Sequence, residues 1–433
     1  MAHQKSFYNF LTFILVLFGT TIHLCAQTSS YIELKSAQRL EGKVINNEEV
    51  RELIGNVHFT QPTKDGGKVL VWCDRAIRYM VQNKMELYGN VKVVQGDATL
   101  YSDEGLYDAN THVMETHTGV RLERNGRTLT ALHGIYFVDD KRSYFRTNVN
   151  LQDSTSLLTC NELFYYELQN RSVARDSVHF ISYINQYHIF GDSLEHLEKE
   201  YRTIVYKHPR LVRFDTTSNG TVDTTVVMSH TMEYIQKPFE VIMAKVNVQM
   251  AQDGIAAQCA YAEYVRPADS VLLVGEPVLW SGNNQVTGDS IFVFLEENQL
   301  RRIEVHGHSM GVSISDSLYP SRFNQLSGKY LTMYFHSNTL TQIAVHNKAI
   351  SLYYLYENHI PNGANKTSGD KIFIEFENGT VNTIHVIGSV EGQYFPEKML
   401  EGREAMYNLD GFRWYPERPH RRECIIENYE NRE

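Results

Sequence analysis

Along much of the chain, apolar and polar residues alternate one by one. Val91 and Val93 flank Lys92, Val120 and Leu122 flank Arg121, Val149 and Leu151 flank Asn150, and Val178 and Phe180 flank His179. A period of two puts the apolar set on one face of a strand and the polar set on the other. The four stretches also recur: Val91, Val120, Val149 and Val178 stand 29 residues apart. Upstream, the columns Ala76, Gly105, Gly134, Leu163 and Ile77, Leu106, Ile135, Phe164 keep the same spacing, and Tyr107, Tyr136 and Tyr165 follow in frame. Each valine closes a short motif: Gly89-Asn90-Val91, Thr118-Gly119-Val120, Thr147-Asn148-Val149, Asp176-Ser177-Val178. An earlier copy, Gly55-Asn56-Val57, leads to Phe59 and is followed by a Gly-rich loop at 62–67. Such strands cannot be stable singly, and stacking them buries one continuous stripe.

The second half repeats with a longer period. Ile291, Val293 and Leu295 match Leu331, Met333 and Phe335 after 40 residues, then Ile372, Ile374 and Phe376 after 41. Turns containing Asn298, Asn338 and Asn378-Gly379 follow, which is hairpin chemistry, and partner strands begin at Ile303, Ile343 and Ile384. Segments 313–324 and 355–367 read as inserted loops. Residues 191–254 read as an irregular connection, with a short helix around Ser193–Tyr201 and a polar hairpin tip or seam at Asp215–Thr225. The organisation expected is a signal at 1–26, one β-repeat segment at 27–190, the connection at 191–254, a second β-repeat segment at 255–395 and a tail at 396–433.

Composition narrows the class. Of 433 residues, 42% are hydrophobic and 21% charged, enough for a buried core. A net charge of −10 argues against a general nucleic-acid binder. Lys5, an apolar run from Phe10 to Phe18 and Leu24-Cys25-Ala26 before Gln27 form a secretory signal pattern. A lipid anchor on Cys25 is the alternative. Removing residues 1–26 takes away one positive charge, −10 − 1 = −11. Cys73 and Cys160 share one repeat position, three repeats apart; at least about 14 Å of stacked rungs rules out a bond between them.

Catalytic and metal motifs are sparse. Gly307-His308-Ser309-Met310-Gly311 fits G-x-S-x-G, but the alternating sequence after Ser309 lacks the helix that a nucleophile elbow needs. His306 and His308 could share a strand face, with no third metal ligand evident. Gly-Asp pairs at 191–192, 288–289 and 369–370 read as turns and not as calcium sites. Arg121, Arg124 and Arg127, with Arg413, Arg418, Arg421 and Arg422, are candidate phosphate contacts or simply solvated charge. No cofactor and no metal is expected.

The Gly-Asn-Val motifs at 55–57 and 89–91, the strand Cys73-Asp74-Arg75-Ala76-Ile77-Arg78-Tyr79 and the 29-residue spacing resemble the OstA-like (organic solvent tolerance-like) family. The likeness runs through residues 31–190 and more loosely through 255–395. It implies an all-β fold of stacked antiparallel strands, an open twisted β-jellyroll in two consecutive segments. It further implies a periplasmic, outer-membrane-associated role in lipopolysaccharide transport, with acyl chains in an apolar trough and no catalysis. Partners implied are other β-jellyroll modules of the transport bridge, an outer-membrane translocon and a head-to-tail homo-oligomer, with no nucleic acid. The expected trough residues are Val57, Phe59, Val91, Val93, Val120, Leu122, Val149, Leu151, Val178, Phe180, Ile291, Val293, Leu331, Met333, Ile372 and Ile374. The alternatives are a structural or adhesive repeat protein with a sealed core, and a serine hydrolase at Ser309.

Overall fold

The computed structural model describes residues 32–62, 67–216, 222–296, 299–377 and 379–421. The signal, Cys25, most of the Gly-rich loop, Asn298, Asn378, Arg422 and Cys424 lie outside the described residues. Among the described residues the strands form one 30-stranded antiparallel sheet, and what shapes it is a crease.

Strand Glu48–Pro62 pairs with Lys68–Tyr79 in two stretches, and the register breaks between Ile54 and Val57. There Gly55 and Asn56 take φ of 78° and 48°. Two successive left-handed residues bend the strand and add one residue against its partner, as a bulge does, so the partner's alternation shifts: Cys73 and Ala76, three apart, both point inward. Leu53 points inward before the crease and Val57 after it, and both join one core. Glycine and asparagine tolerate this backbone best, which accounts for the Gly-Asn-Val motif. The same paired conformation recurs at Gly89-Asn90, Thr147-Asn148, Asp176-Ser177, Gly307-His308 and Asn347-Lys348. Alternate strands are thereby folded over, their partners bend with them, and the sheet becomes two facing walls. Wall A holds segments such as 48–54, 84–88 and 142–146; wall B holds 57–62, 91–95 and 149–152.

The Gly-Asp pairs belong to the crease and not to hairpin turns. A Cβ on Gly288 would collide with Val305 Cγ1 and lie 3.1 Å from the Gly307 carbonyl oxygen. Asp289 N–H donates to the His306 and Gly307 carbonyls at 3.0 Å each.

Residues 191–254 are not irregular. They continue the ladder through Tyr187–Leu197, Arg202–Tyr206, Arg210–Thr216, Val222–Met228, Thr231–Ile235 and Val241–Gln252. The expected helix is the end of the first of these strands plus a 3-10 turn, Glu198–Glu200. Creases here fall on Lys207-His208 and Val246-Asn247, which carry no glycine to betray them. Segment 355–367 is likewise no loop. Strands Thr339–Glu357 and Ile360–Glu377 meet at Asn358-His359, whose φ values of 50° and 66° make a tight hairpin. The expected loop at 313–324 shrinks to the residues between Ile314 and Phe323.

The tail folds back. After helix Glu397–Leu400 and the 3-10 turn Glu404–Tyr407, the chain crosses the outside of wall B. Buried Gln325 accepts from Leu409 N–H at 2.8 Å. Buried Gln285 accepts from Tyr415 N–H and donates to the Arg413 carbonyl, both at 2.8 Å. Trp280 Nε1–H donates to the Tyr415 carbonyl at 3.1 Å, and Arg421 reaches Asp223 at 3.3 Å.

Carboxylates punctuate the outside of wall A, each bracketed by two neighbouring side chains. Glu52 is held by Lys43 and by Arg75 at 2.5 Å. Glu86 accepts from Tyr79 at 3.1 Å and Tyr88 at 2.8 Å. Glu233 is held by Arg202 at 2.5 Å and Lys245 at 2.7 Å. These contacts tie neighbouring strands together from the outside.

Candidate apolar interior

Register fixes which side chains line the space between the walls. On wall B one file passes through Phe59, Val71, Val93, Leu100, Leu122 and Leu129. It continues through Leu151, Leu158, Phe180, Ile189, Leu211 and Val227. Met250, Ala257, Leu279, Val286 and Gly311 carry it to Leu326. Beyond Leu326 it turns polar, through Ser351 and Thr367. On wall A the facing file includes Leu163, Ala174, Leu194 and Val205, then Ile291, Val305, Leu331, Val345 and Ile372. Ile189 packs against the clusters on either side of it, so the two repeat regions share one interior.

All the expected trough residues point inward. Val57, Phe59, Val91, Val120, Val149, Val178, Ile291, Leu331, Met333 and Ile372 are buried. Val93, Leu122, Leu151, Phe180, Val293 and Ile374 are half-buried and pack on the same clusters. The expected set nevertheless mixes walls. From Val57 to Phe180 it names wall B alone, and from Ile291 onward wall A alone. The facing residues, Ala76, Leu163 and Ala174 in one half and Leu211, Leu279 and Val286 in the other, were missed. The odd step on the partner strands, from Cys73 to Ala76 and from Cys160 to Leu163, is the signal that could have found the first of them.

Toward the free edges, polar groups span the gap. Gln61 of wall B donates to the Tyr107 hydroxyl of wall A at 2.9 Å, and Arg266 of wall A donates to Asn185 of wall B at 3.1 Å. Burial holds the Tyr107 phenol above its ordinary range and the His196 imidazole below its own. Cys73, Cys160 and Cys259 are free and buried. Each repeat supplies two strands, so six steps of about 4.8 Å, roughly 29 Å, separate Cys73 from Cys160. Burial pushes the Cys73 and Cys160 thiols up to about 12 and Cys259 to about 11, so all three are inert at neutral pH.

Ser309 is no exposed nucleophile. It is 0% exposed and donates to the Gly328 carbonyl at 2.8 Å, while Gly307-His308 before it forms a crease. That crease also parts the two histidines: His306 lies 3.4 Å from Glu304, and His308 3.0 Å from Asp289. Among the described residues no group of three or more His, Cys, Asp or Glu could hold a metal. Arg121, Arg124 and Arg127 each meet a carboxylate, Glu123, Asp97 and Asp153. A surface pocket of about 200 Å³ lies outside wall A, lined by Leu106, Asp108 and Glu115 among others. No helix among the described residues is long and apolar enough to cross a membrane.

Fold and interior define the class: a repeat-built, two-walled β-jellyroll with a continuous apolar interior. The family model described as OstA-like protein matches residues 29–192, and that stretch is an OstA-like domain. A solved structure from Pseudomonas aeruginosa is also similar: LptH, described as the LptA homologous periplasmic component of the conserved lipopolysaccharide transport device. It is 16% identical, with a TM-score of 0.26, and the match covers 33% of this chain and 95% of that one. Comparison with curated proteins gives no match.

Proposed function

We propose that the protein is an exported, non-catalytic lipid-binding component of lipopolysaccharide transport and outer-membrane assembly. Acyl chains of lipopolysaccharide or a related amphiphile lie between its walls. The observation that carries this reading is the unbroken apolar file from Phe59 to Leu326, which begins inside the OstA-like domain. Burial rewards such a ligand by about 0.8 kcal/mol per methylene, and no group needs to change protonation. Because the walls already pack on each other, lipid enters only as they part. The crease acts as the hinge, and the Gln61–Tyr107 and Arg266–Asn185 contacts release. Among the described residues, outer strands Arg39–Ile45 and Thr380–Ile387 each pair on one side only. They suit edge pairing with other β-jellyroll modules, an outer-membrane translocon or a second copy.

One observation favours a second reading, a structural protein with a sealed core: Val57, Ile291 and Ile372 are already 0% exposed. The test is native mass spectrometry, with lipid extraction, of the chain purified from a Gram-negative envelope. Half-buried Val93 and Leu122 are replaced by Asp in one variant, outward Lys92 and Arg121 by Ser in another. Bound lipid A, lost in the first variant and kept in the second, supports carriage. A lipid-free wild type under gentle conditions leaves the sealed core.

A further inference from the structure

We propose that the C-terminal corner of wall B docks on a lipid bilayer. Three elements converge there: the loop between Ile314 and Phe323, the Asn358-His359 hairpin tip, and the segment from Glu397 to Tyr407. Ser315 Oγ lies 2.8 Å from the Tyr356 hydroxyl, and Asp316 lies 3.7 Å from His359. Buried Arg322 ties the loop to the helical segment through Glu397 at 2.6 Å and Glu404 at 3.2 Å. Its guanidinium sits 5.1 Å from the centre of the Tyr319 ring.

Out of this rigid base stand Leu318, Ile360, Met399 and Met406, exposed by 70%, 68%, 46% and 80%. Loops and hairpin tips normally carry polar turn residues, so large apolar side chains at two adjoining ones are out of place in water. Half-exposed Tyr319, Tyr356 and Tyr407 stand among them with the exposed Tyr394. Tyr394 O–H donates to the Asn362 carbonyl at 2.9 Å and Tyr407 O–H to the Met399 carbonyl at 3.1 Å. Apolar anchors ringed by amphipathic phenols match the layering of a membrane–water interface. The anchors project from separate tips and do not enclose a groove, a shape suited to a fluid surface more than to a protein knob. The corner is mildly acidic: Glu397 and Glu404 share the single Arg322, exposed Lys398 and Arg403 balance Glu357 and Glu401, and Asp316 adds to the excess, which favours neutral headgroups over anionic ones. Other tips expose one or two such residues, Met80 with Val81, Leu168, and Tyr183 with Ile184, against the four anchors gathered here. The proposal does not depend on lipid between the walls.

Co-sedimentation of the full chain with vesicles tests it, using phosphatidylcholine alone and phosphatidylethanolamine with phosphatidylglycerol. Binding to phosphatidylcholine, little changed by salt, is expected, with weaker binding to the anionic mixture. Leu318→Glu with Ile360→Glu should weaken it about tenfold or more, whereas Val81→Glu with Leu168→Glu should not. Leu318→Trp should shift its emission to the blue and be quenched by brominated lipid; Val81→Trp should do neither. The proposal falls if the wild type stays in the supernatant, if Leu318→Trp is not quenched, or if only anionic vesicles bind and salt releases them. It falls equally if the paired Glu variant instead turns a dimer into a monomer.

Discussion

In the OstA-like domain wall B is covered on one face only, whereas in the later rungs it is covered on both. Outside the domain's wall B, His58 stacks on Trp72 with centroids 4.6 Å apart, and Lys92 lies 5.7 Å from the ring centres of Trp72 and Tyr101. These side chains are half-buried and lean on one another. In the later rungs the same face holds Trp280, Val312, Leu352 and Tyr354, all buried beneath the returning C-terminal segment. The sequence records the difference. Alternation marks a strand with one wet face, and an apolar run such as Val278-Leu279-Trp280 marks a strand with none.

Removing a large side chain from each face should measure that contrast most sharply. Trp280→Ala should cost about 3–5 kcal/mol, while Trp72→Ala should cost about 1 kcal/mol or less, read from denaturant midpoints at unchanged slope. Equal losses would mean that the C-terminal segment does not cover wall B in solution. Next come the glutamines. Gln285→Leu orphans the Arg413 carbonyl and the Tyr415 N–H, for about 2–3 kcal/mol. Gln152 lies on the same outward file but is exposed, so Gln152→Leu should stay within about 0.5 kcal/mol. Hydrogen exchange at 409–415 should quicken in the first variant alone.

Acid should act on both regions alike. Glu52 is held below its ordinary 4.5 by its hydrogen bonds to Lys43 and Arg75. For Glu233, burial acts upward, but Lys245 and Arg202 outweigh it and the net shift is downward. A carboxyl lowered on folding stabilises fully above its unfolded value, and that contribution drains away as pH falls through the folded one. Glu52→Gln and Glu233→Gln should therefore each flatten the loss of stability below about pH 4.5, in urea titrations from pH 7 to 3. An acid limb as steep as the wild type's in both variants would assign it elsewhere. The smallest effect belongs to Val246, a β-branched residue held at φ 65° in a crease and 54% exposed. Val246→Asn should stabilise by about 1 kcal/mol.

Legibility followed the reach of each interaction. The creases of the first repeats could be read because glycine or asparagine occupies most left-handed positions there, and the stacking followed from their spacing. From Lys207 to Asn247 the same backbone is imposed by strand pairing with no glycine at either crease and with a β-branched Val246 at one of them, and the ladder passed for a linker. The two walls were confused because alternation reports a face and not which face: parity runs unbroken through the crease from Leu53 to Val57 and shifts only on the partner strand, from Cys73 to Ala76. The returning tail left no periodic trace at all. Its grip depends on Gln285 and Gln325, more than 80 positions from their partners, and each looks like any surface glutamine until its neighbours are known.

The crease also makes the molecule a ruler. Every repeat carries its own fold line and contributes two strands, so the chain lengthens only in increments of about 10 Å. Duplicating or excising one 29-residue unit should move the two ends apart or together by that increment and leave the cross-section unchanged. Distance, in such a protein, is a quantity that gene duplication can adjust in whole numbers.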